Sequence, residues 1–268
     1  MFSCKDQLSR SIEFKHLPKR IISLVPSQTE LLHDLGLNEE VIGITKFCVH
    51  PKNWFRNKTK IGGTKNINIE KIKSLKPDLI IANKEENVKE QIEELEKFVP
   101  VWISDVNNFE DALNMIKFVG ELTAKTEEAH KLITQIENEF HELNFFLSTV
   151  NSQLSVVYLI WKNPYIAAAG DTFIGEMLRR CRFQNVFENK KRYPQIELNS
   201  LLSANYQLIL LSSEPYPFKE KHIDEIKKEL PDSKVILVDG EMFSWYGSRM
   251  LRAADYFKTL IAQISYTN

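Results

Sequence analysis

The chain has 268 residues, a formal net charge of −1 and 43% hydrophobic residues. That length allows one large domain or two of ordinary size, and the apolar fraction is enough to bury a core. The near-neutral charge gives no electrostatic reason to bind nucleic acid, and no apolar run reaches the roughly eighteen residues of a membrane-spanning helix.

Residues 1–18 are polar and read as a loose lead-in or an edge strand. The first ten, ending at Arg10, lack the apolar stretch of a signal peptide. The expectation is a cytoplasmic protein, or a periplasmic or cell-surface one if a leader has been removed. Cys4, Cys48 and Cys181 are an odd, widely spaced set without a disulfide framework or zinc spacing, and read as buried or idle thiols.

The run 20–25 predicts a buried strand. Pro26–Glu30 then turns into a helix over 31–35, stopped by Gly36. A second strand is predicted over 41–45. The stretch from Lys46 to Lys65 reads as a long loop holding Phe47, His50, Trp54, Gly62 and Gly63, and loops of that length in compact domains are often functional. Helix 69–75, strand 78–82, helix 88–98 and strand 101–103 follow.

From Ser104 to Ser152 there is no proline and one glycine, Gly120. Leu132, Ile133, Ile136, Phe140, Leu143 and Leu147 recur at three- and four-residue steps, opposite a charged face. Thr126 caps this helix, with Glu127 and Glu128 in its first turn. Strand–helix alternation resumes beyond it. Strands are predicted over 155–160, 207–211 and 234–238, and helices over 172–180, 198–204, 218–230 and 249–264. The fold class is α/β, with parallel sheets in two Rossmann-like lobes joined by one long helix. The domains are an N-terminal lobe over 1–104, a helical linker over 105–151 and a C-terminal lobe over 152–268. One internal echo supports this plan. Residues 69–81 and 198–210 each run from a short amphipathic helix into a buried strand after the same interval. Two lobes on related plans make a ligand cleft between them the expected site.

Ligands of parallel sheets sit beyond the carboxyl ends of the strands. The loops predicted there carry Phe47, Trp161, Tyr165, Tyr216, Phe218, Phe243, Trp245 and Tyr246, with Tyr193 in a further loop. A flat ligand can lie against such rings, or the rings can plug the loops into the core. Arg249 opens a helix, where a cation opposes the dipole. That placement calls for an anionic partner, either Glu241 or a ligand carboxylate or phosphate; the plainer reading is a surface arginine.

His50 follows Cys48 by two residues without further ligands nearby in sequence, and His33, His130, His141 and His222 fall on helices without a paired ligand. No metal site is expected. The nucleophile elbow, the phosphate-cradling loop and the dinucleotide fingerprint are absent, so no catalytic residue is assigned.

Arg20-Ile-Ile-Ser-Leu-Val-Pro-Ser-Gln-Thr-Glu-Leu31, Ile61-Gly-Gly63, the segment 68–81, Gly170-Asp-Thr-Phe-Ile174 and Phe243-Ser-Trp-Tyr-Gly-Ser-Arg249 occur in this order. Together they resemble the substrate-binding proteins of ABC importers for cobalamin, haem and ferric siderophores, the group with a helical backbone between its lobes, and most of all its cobalamin-binding branch. The resemblance covers roughly residues 19–262. It implies a rigid pair of lobes and a non-enzymatic, monomeric binder of a small metal chelate. That chelate would be cobalamin, haem or a ferric siderophore, with no intrinsic cofactor. It also implies an ABC permease as partner. Phe47 stands where the family has an aromatic contact to the corrin, and Tyr193 where it has a tryptophan. Thr64 or Lys65, and Asn83, stand where the cobalamin branch has tryptophans. The implied ligand set is Phe47, His50, Gly63, Lys65, Asn83, Trp161, Tyr165, Tyr193, Glu241, Phe243, Trp245, Tyr246 and Arg249. Permease docking is implied for Glu70 and, at the echoed position, Asn199, where the family has glutamate. The alternatives are a cytosolic corrinoid- or tetrapyrrole-handling protein without a permease, or a chelatase-like enzyme with His50 or Glu241 as its base.

Overall fold

The structure is a computed structural model that describes residues 2–150 and 153–266. The chain divides into two compact units. One comprises Met1–Val106, Glu110–Ile136 and Tyr246–Arg249, and the other Asn107–Phe109, Glu137–Trp245 and Met250–Asn268.

The first unit opens with a hairpin of β1 (Phe2–Lys5) and β2 (Ser11–Phe14), paired antiparallel. It is neither loose nor a lone edge strand. Gln7 N–H donates to the Ile103 carbonyl at 3.1 Å, and the Trp102 indole donates to the Lys5 carbonyl at 3.3 Å. The lead-in thereby covers a sheet edge that would otherwise invite pairing with another chain. Then come β3 (Ile21–Ser23), α1 (Pro26–Asp34), β4 (Val41–Ile44), α2 (Lys52–Asn57), β5 (Thr59–Lys60), α3 (Ile69–Leu75), β6 (Leu79–Asn83), α4 (Lys89–Glu96), β7 (Val101–Ser104) and α5 (Phe109–Leu122). The sheet order is β5-β4-β3-β6-β7, with every pair parallel. Residues Leu79–Ala82 are fully buried, as a strand covered on both faces must be.

Two local readings change. The helix expected over 31–35 begins at Pro26, because proline at the first helical position has the right φ and gives up only an N–H that would be unpaired anyway. The long loop 46–65 folds into α2 and β5. Trp54 pins α2 by burying its ring and donating from its indole to Asn38 Oδ1 at 3.1 Å.

Helix α6 (Thr126–Thr149) starts in the first unit and ends in the second; its 24 residues span about 36 Å. Leu132, Ile136, Phe140, Leu143 and Leu147 are buried, which is the stripe read from the sequence. Gly120 of α5 lets the two helices meet closely. A Cβ there would stand 2.4 Å from Ala129 Cβ and 3.0 Å from the Lys125 carbonyl oxygen. Gly120→Val is therefore expected to lower stability by about 1–3 kcal/mol. Thermal denaturation checks this, and an unchanged midpoint would contradict the packing.

The second unit contains β8 (Ser155–Trp161), β9 (Tyr165–Ala167), α7 (Phe173–Arg180), β10 (Gln184–Asn185), β11 (Gln195–Ile196), a 3-10 helix (Leu198–Ser203), β12 (Leu208–Ser212), α8 (Glu220–Glu229), β13 (Val235–Val238), α9 (Gly240–Ser244) and α10 (Met250–Tyr266). Its sheet runs β11-β9-β8-β12-β13, with β10 also on β8. Strands β10, β12 and β13 follow the parallel plan, but β9 is antiparallel to β8. A connection of three residues can only reverse the chain, since a parallel crossover needs a dozen or more. The echo of 69–81 by 198–210 holds in strand placement: β6 and β12 are both flanked by two parallel neighbours. The helices differ. Asn68 caps α3 by accepting from Lys71 N–H at 2.9 Å. The second copy has no such cap, and the Ser200 and Ser203 hydroxyls donate to carbonyls three residues back, at 2.6 and 3.2 Å, along a tighter 3-10 turn.

Candidate functional site

In the first unit the chain lays down β3, β4 and β5 toward one side, then returns to place β6 and β7 on the other. The order reverses between β3 and β6, and the carboxyl ends there form the crevice that open α/β sheets use for ligands. Asn83 ends β6 and is buried. Its amide donates to Ser104 Oγ at 3.0 Å, and its side-chain oxygen accepts from Glu85 and Glu86 N–H at 2.8 and 3.0 Å. Sequence reading offered Asn83 as a ligand contact; the structure uses it to shape the loop after β6. Gln28, in the first turn of α1, donates to the same Ser104 hydroxyl at 2.5 Å.

Arg249 gives the clearest correction. Its Nε and Nη2 donate to Glu30 Oε2 and Oε1 at 2.8 and 2.7 Å, and both side chains are buried. The structure supplies an anionic partner for its helix-start position that the sequence reading did not name, Glu30 on α1. Tyr246 is buried alongside and donates to Glu86 Oε1 at 3.2 Å; burial, then the Glu86 charge, push its phenol well above the usual range. Segment 246–249 is thus an anchor in the first unit.

Phe47, in the loop after β4, is 51% exposed. Its ring lies over Gly63, where a Cβ would come within 3.1 Å of Phe47 Cε2, and Lys46 Nζ stands 5.1 Å from the ring centroid. Gly63 is buried and serves as the seat of this ring. Lys65 is exposed and donates to the Glu85 carbonyl at 2.5 Å. His50 is half-buried in the same loop as Phe47. Cys48 is buried against the Thr29 and Thr45 hydroxyls at 3.0 and 3.1 Å, and burial pushes its thiol up, so it is an inert thiol.

In the second unit the order reverses between β8 and β12. Trp161 ends β8, is 40% exposed and meets Tyr216 edge-on with centroids 5.7 Å apart. Tyr216 in turn packs against Phe218 at 4.7 Å and His222 at 5.4 Å. His222 is buried, which lowers its pKa, and its Nδ1 accepts from Lys219 N–H at 2.8 Å. It is a neutral packing residue. Lys162 pairs with Glu225, and Tyr165 is half-buried on β9. Tyr193 is 37% exposed, with the Arg192 guanidinium 5.7 Å from its ring centroid. Arg192 is itself fixed by Asn107 Oδ1 and the Asp171 carbonyl at 2.8 and 2.9 Å.

The loop 239–249 is less open than its composition suggests. Residues 240–244 form α9, capped by Asp239, which accepts from Glu241 N–H at 3.1 Å. Phe243 is fully buried between Tyr158 at 5.0 Å and Phe257 at 4.7 Å. It is a core ring and offers no face to a ligand. Trp245 is buried, with its indole on Glu214 Oε1 at 2.8 Å. Glu241 is half-buried in the first turn of α9. Of the rings in the sequence-derived ligand set, Phe47, Trp161 and Tyr193 are the ones at least a third exposed. The sequence reading placed Glu30 and Glu214 at the ends of candidate loops but gave neither a role. Nothing local marks either, because their partners lie 219 and 31 residues away.

Two surface hollows of about 670 and 420 Å³ in the second unit share Arg179 and Arg182. They border β10 and α7 rather than the carboxyl ends of β8 and β12, and Arg179 is already paired with Glu176 and Glu188. Among the described residues no three His, Cys, Asp or Glu side chains gather into a metal site, and no helix is long and apolar enough to cross a membrane.

The family model described as periplasmic binding protein matches residues 21–232. The chain belongs to the periplasmic binding protein family. An uncharacterized ABC transporter substrate-binding lipoprotein of Bacillus subtilis is 26% identical over 213 residues, 76% of this chain and 67% of that one. A vitamin B12-binding protein of Pectobacterium carotovorum is 25% identical over 252 residues, 93% of this chain and 90% of its own. Among solved structures, the periplasmic vitamin B12 binding protein of Vibrio cholerae superposes with a TM-score of 0.77 at 23% identity, over 92% of this chain and 98% of that one. That likeness fixes the fold: two α/β units with parallel strands and a long helix. As a member of this family, the chain presents Glu70 in the first turn of α3 and Asn199 in the first turn of its 3-10 helix, both exposed.

Proposed function

We propose that this periplasmic binding protein is the substrate-binding component of an ABC importer, working outside the cytoplasmic membrane. It binds a metal-bearing organic chelate without altering it, a corrinoid first, then haem or a ferric siderophore. The names of its relatives support the importer and the corrinoid. One structural observation carries the reading: among the exposed rings, Phe55 and Phe145 lie on helices and Phe98 just past α4, whereas Phe47, Trp161 and Tyr193 stand at strand ends or in loops. Phe47 and Trp161 do so in loops at the carboxyl ends of parallel strands, and an exposed ring in such a place is a stacking face for a flat ligand. Lys46, Lys65 and Arg192 stand beside those loops and suit ligand carboxylates or phosphate. Glu241 and His50 are proposed to complete the polar contacts.

Calorimetric and absorbance titration with cyanocobalamin, haemin and a panel of ferric siderophores tests this. Saturable one-to-one binding of a member is the expected result, with the ligand recovered unchanged. Silence across the whole panel would remove the proposal. Docking to the permease is proposed to use Glu70, whose carboxylate is exposed and pairs with Lys73 of its own helix at 2.9 Å in a contact that solvent screens. Glu70→Arg is expected to cut uptake in cells about tenfold or more while leaving ligand affinity in solution unchanged. Loss of affinity together with uptake would show that Glu70 acts otherwise.

A further inference from the structure

Between Glu40 and Asp78, in the first unit, the chain carries nine lysines and arginines and one acid, Glu70, although its net charge is −1. Lys46, Lys52, Arg56, Lys58, Lys60 and Lys65 come first, without an acid among them. Among the described residues none of these six is in an ion pair, and Glu70 is paired with Lys73. The Lys58 ammonium donates to the Asn38 carbonyl at 2.6 Å, and the Lys60 ammonium to the Phe55 and Lys58 carbonyls at 2.5 and 2.9 Å. A carbonyl orders an ammonium but leaves its charge uncompensated. Lys60 also lies near Lys71 of α3; burial first, and then that second cation, lower its pKa. Guarding the edge strand β5 against another chain accounts for Lys60 alone, since the other cations lie off that strand.

Within α2, Lys52, Phe55 and Arg56 fall at steps of three and four and share one exposed helix face, while Trp54 is buried on the other. Phe55 keeps 39% of its surface in solvent, with Lys60 Nζ 5.0 Å from its ring centroid. The face runs away from the ligand crevice. Asn38, which Lys58 holds, lies three residues ahead of β4, so Lys58 stands at the amino end of the strands and the crevice at their carboxyl ends. We infer that α2 and β5 form a docking face for an anionic lipid bilayer, with Phe55 entering the headgroup boundary, Lys52 and Arg56 meeting lipid phosphates, and Lys58 and Lys60 adding to the positive potential. The uncompensated cations set the sign of the partner, and the exposed ring sets its kind. A soluble polyanion of sugars or phosphates is held by the cations alone, whereas a bilayer contact also uses an apolar side chain ringed by lysine and arginine.

Docking of this kind needs no ligand, and its test uses none. The full chain is sedimented with vesicles of phosphatidylglycerol and phosphatidylcholine in equal parts, and with vesicles of phosphatidylcholine alone, at about 50 mM salt. Partitioning onto the anionic vesicles is expected to be about 100-fold stronger and to vanish toward about 1 M salt. Lys52→Gln with Arg56→Gln is expected to weaken it about thirtyfold, and Phe55→Ser about fivefold or more. Lys227→Gln with Lys228→Gln, at exposed positions of α8, should change it by less than about twofold. Melting temperatures report whether each variant is folded. Equal partitioning onto the two vesicle types, or onto neither, overturns the proposal on the unaltered chain, whether or not any variant folds. So does binding that both paired substitutions weaken alike. Binding that Phe55→Ser leaves intact also overturns it, because the face would then be a site for soluble polyanions.

Discussion

Arg249→Met is expected to lower folding stability by about 3–5 kcal/mol, because it leaves the Glu30 carboxylate buried without its cation. Domains of this kind have only about 5–15 kcal/mol to lose, so the variant should melt many degrees lower or fail to accumulate. Both partners are sealed from solvent and joined by two charge-assisted bonds at 2.7 and 2.8 Å, so solvent cannot rescue either charge alone. The pair itself need not be a net gain over apolar side chains. Glu30→Met with Arg249→Met should therefore recover most of the loss, and a double-mutant cycle by chemical denaturation measures the coupling. A single substitution costing less than about 1 kcal/mol would mean that Arg249 reaches solvent after all. Because segment 246–249 belongs to the first unit while its flanks belong to the second, the variant should also increase proteolysis at 245–249.

The second large effect is on binding. Phe47→Ala, Trp161→Ala and Tyr193→Ala are each expected to weaken binding of the ligand found in the titration panel by about 10- to 100-fold. Their effect on melting temperature should be small, since the rings are 51%, 40% and 37% exposed. Phe243→Ala should do the reverse, costing about 3–5 kcal/mol of stability through the cavity it leaves among Tyr158 and Phe257. If the three exposed rings prove neutral for affinity while Phe243→Ala abolishes it without unfolding, the ligand face has been assigned to the wrong side chains.

These contrasts mark where sequence reasoning runs out. Phe47 and Phe243 look alike in the chain, as aromatic residues in loops after apolar strands. What separates them is company. Phe47 rests on Gly63, which has no side chain to cover it, whereas Phe243 is walled by rings from β8 and α10. Asn83 looked like an exposed polar contact, but Glu85, Glu86 and Ser104 converge on its amide from two strand ends. A one-letter string carries no term for such convergence.

The sequence alone determined the alternation of strands and helices, the long helix from Thr126 to about Ser148 and the related plans of the two halves. Each of these follows from apolar spacing within a few residues, and the physics that reads spacing is local. Only the tertiary structure decided that Arg249 answers to Glu30, that Glu214 holds Ser244 and Trp245, and which rings stay in solvent. Burial and charge pairing are properties of side chains brought together from distant parts of the chain, and they have no value until the sheets have formed.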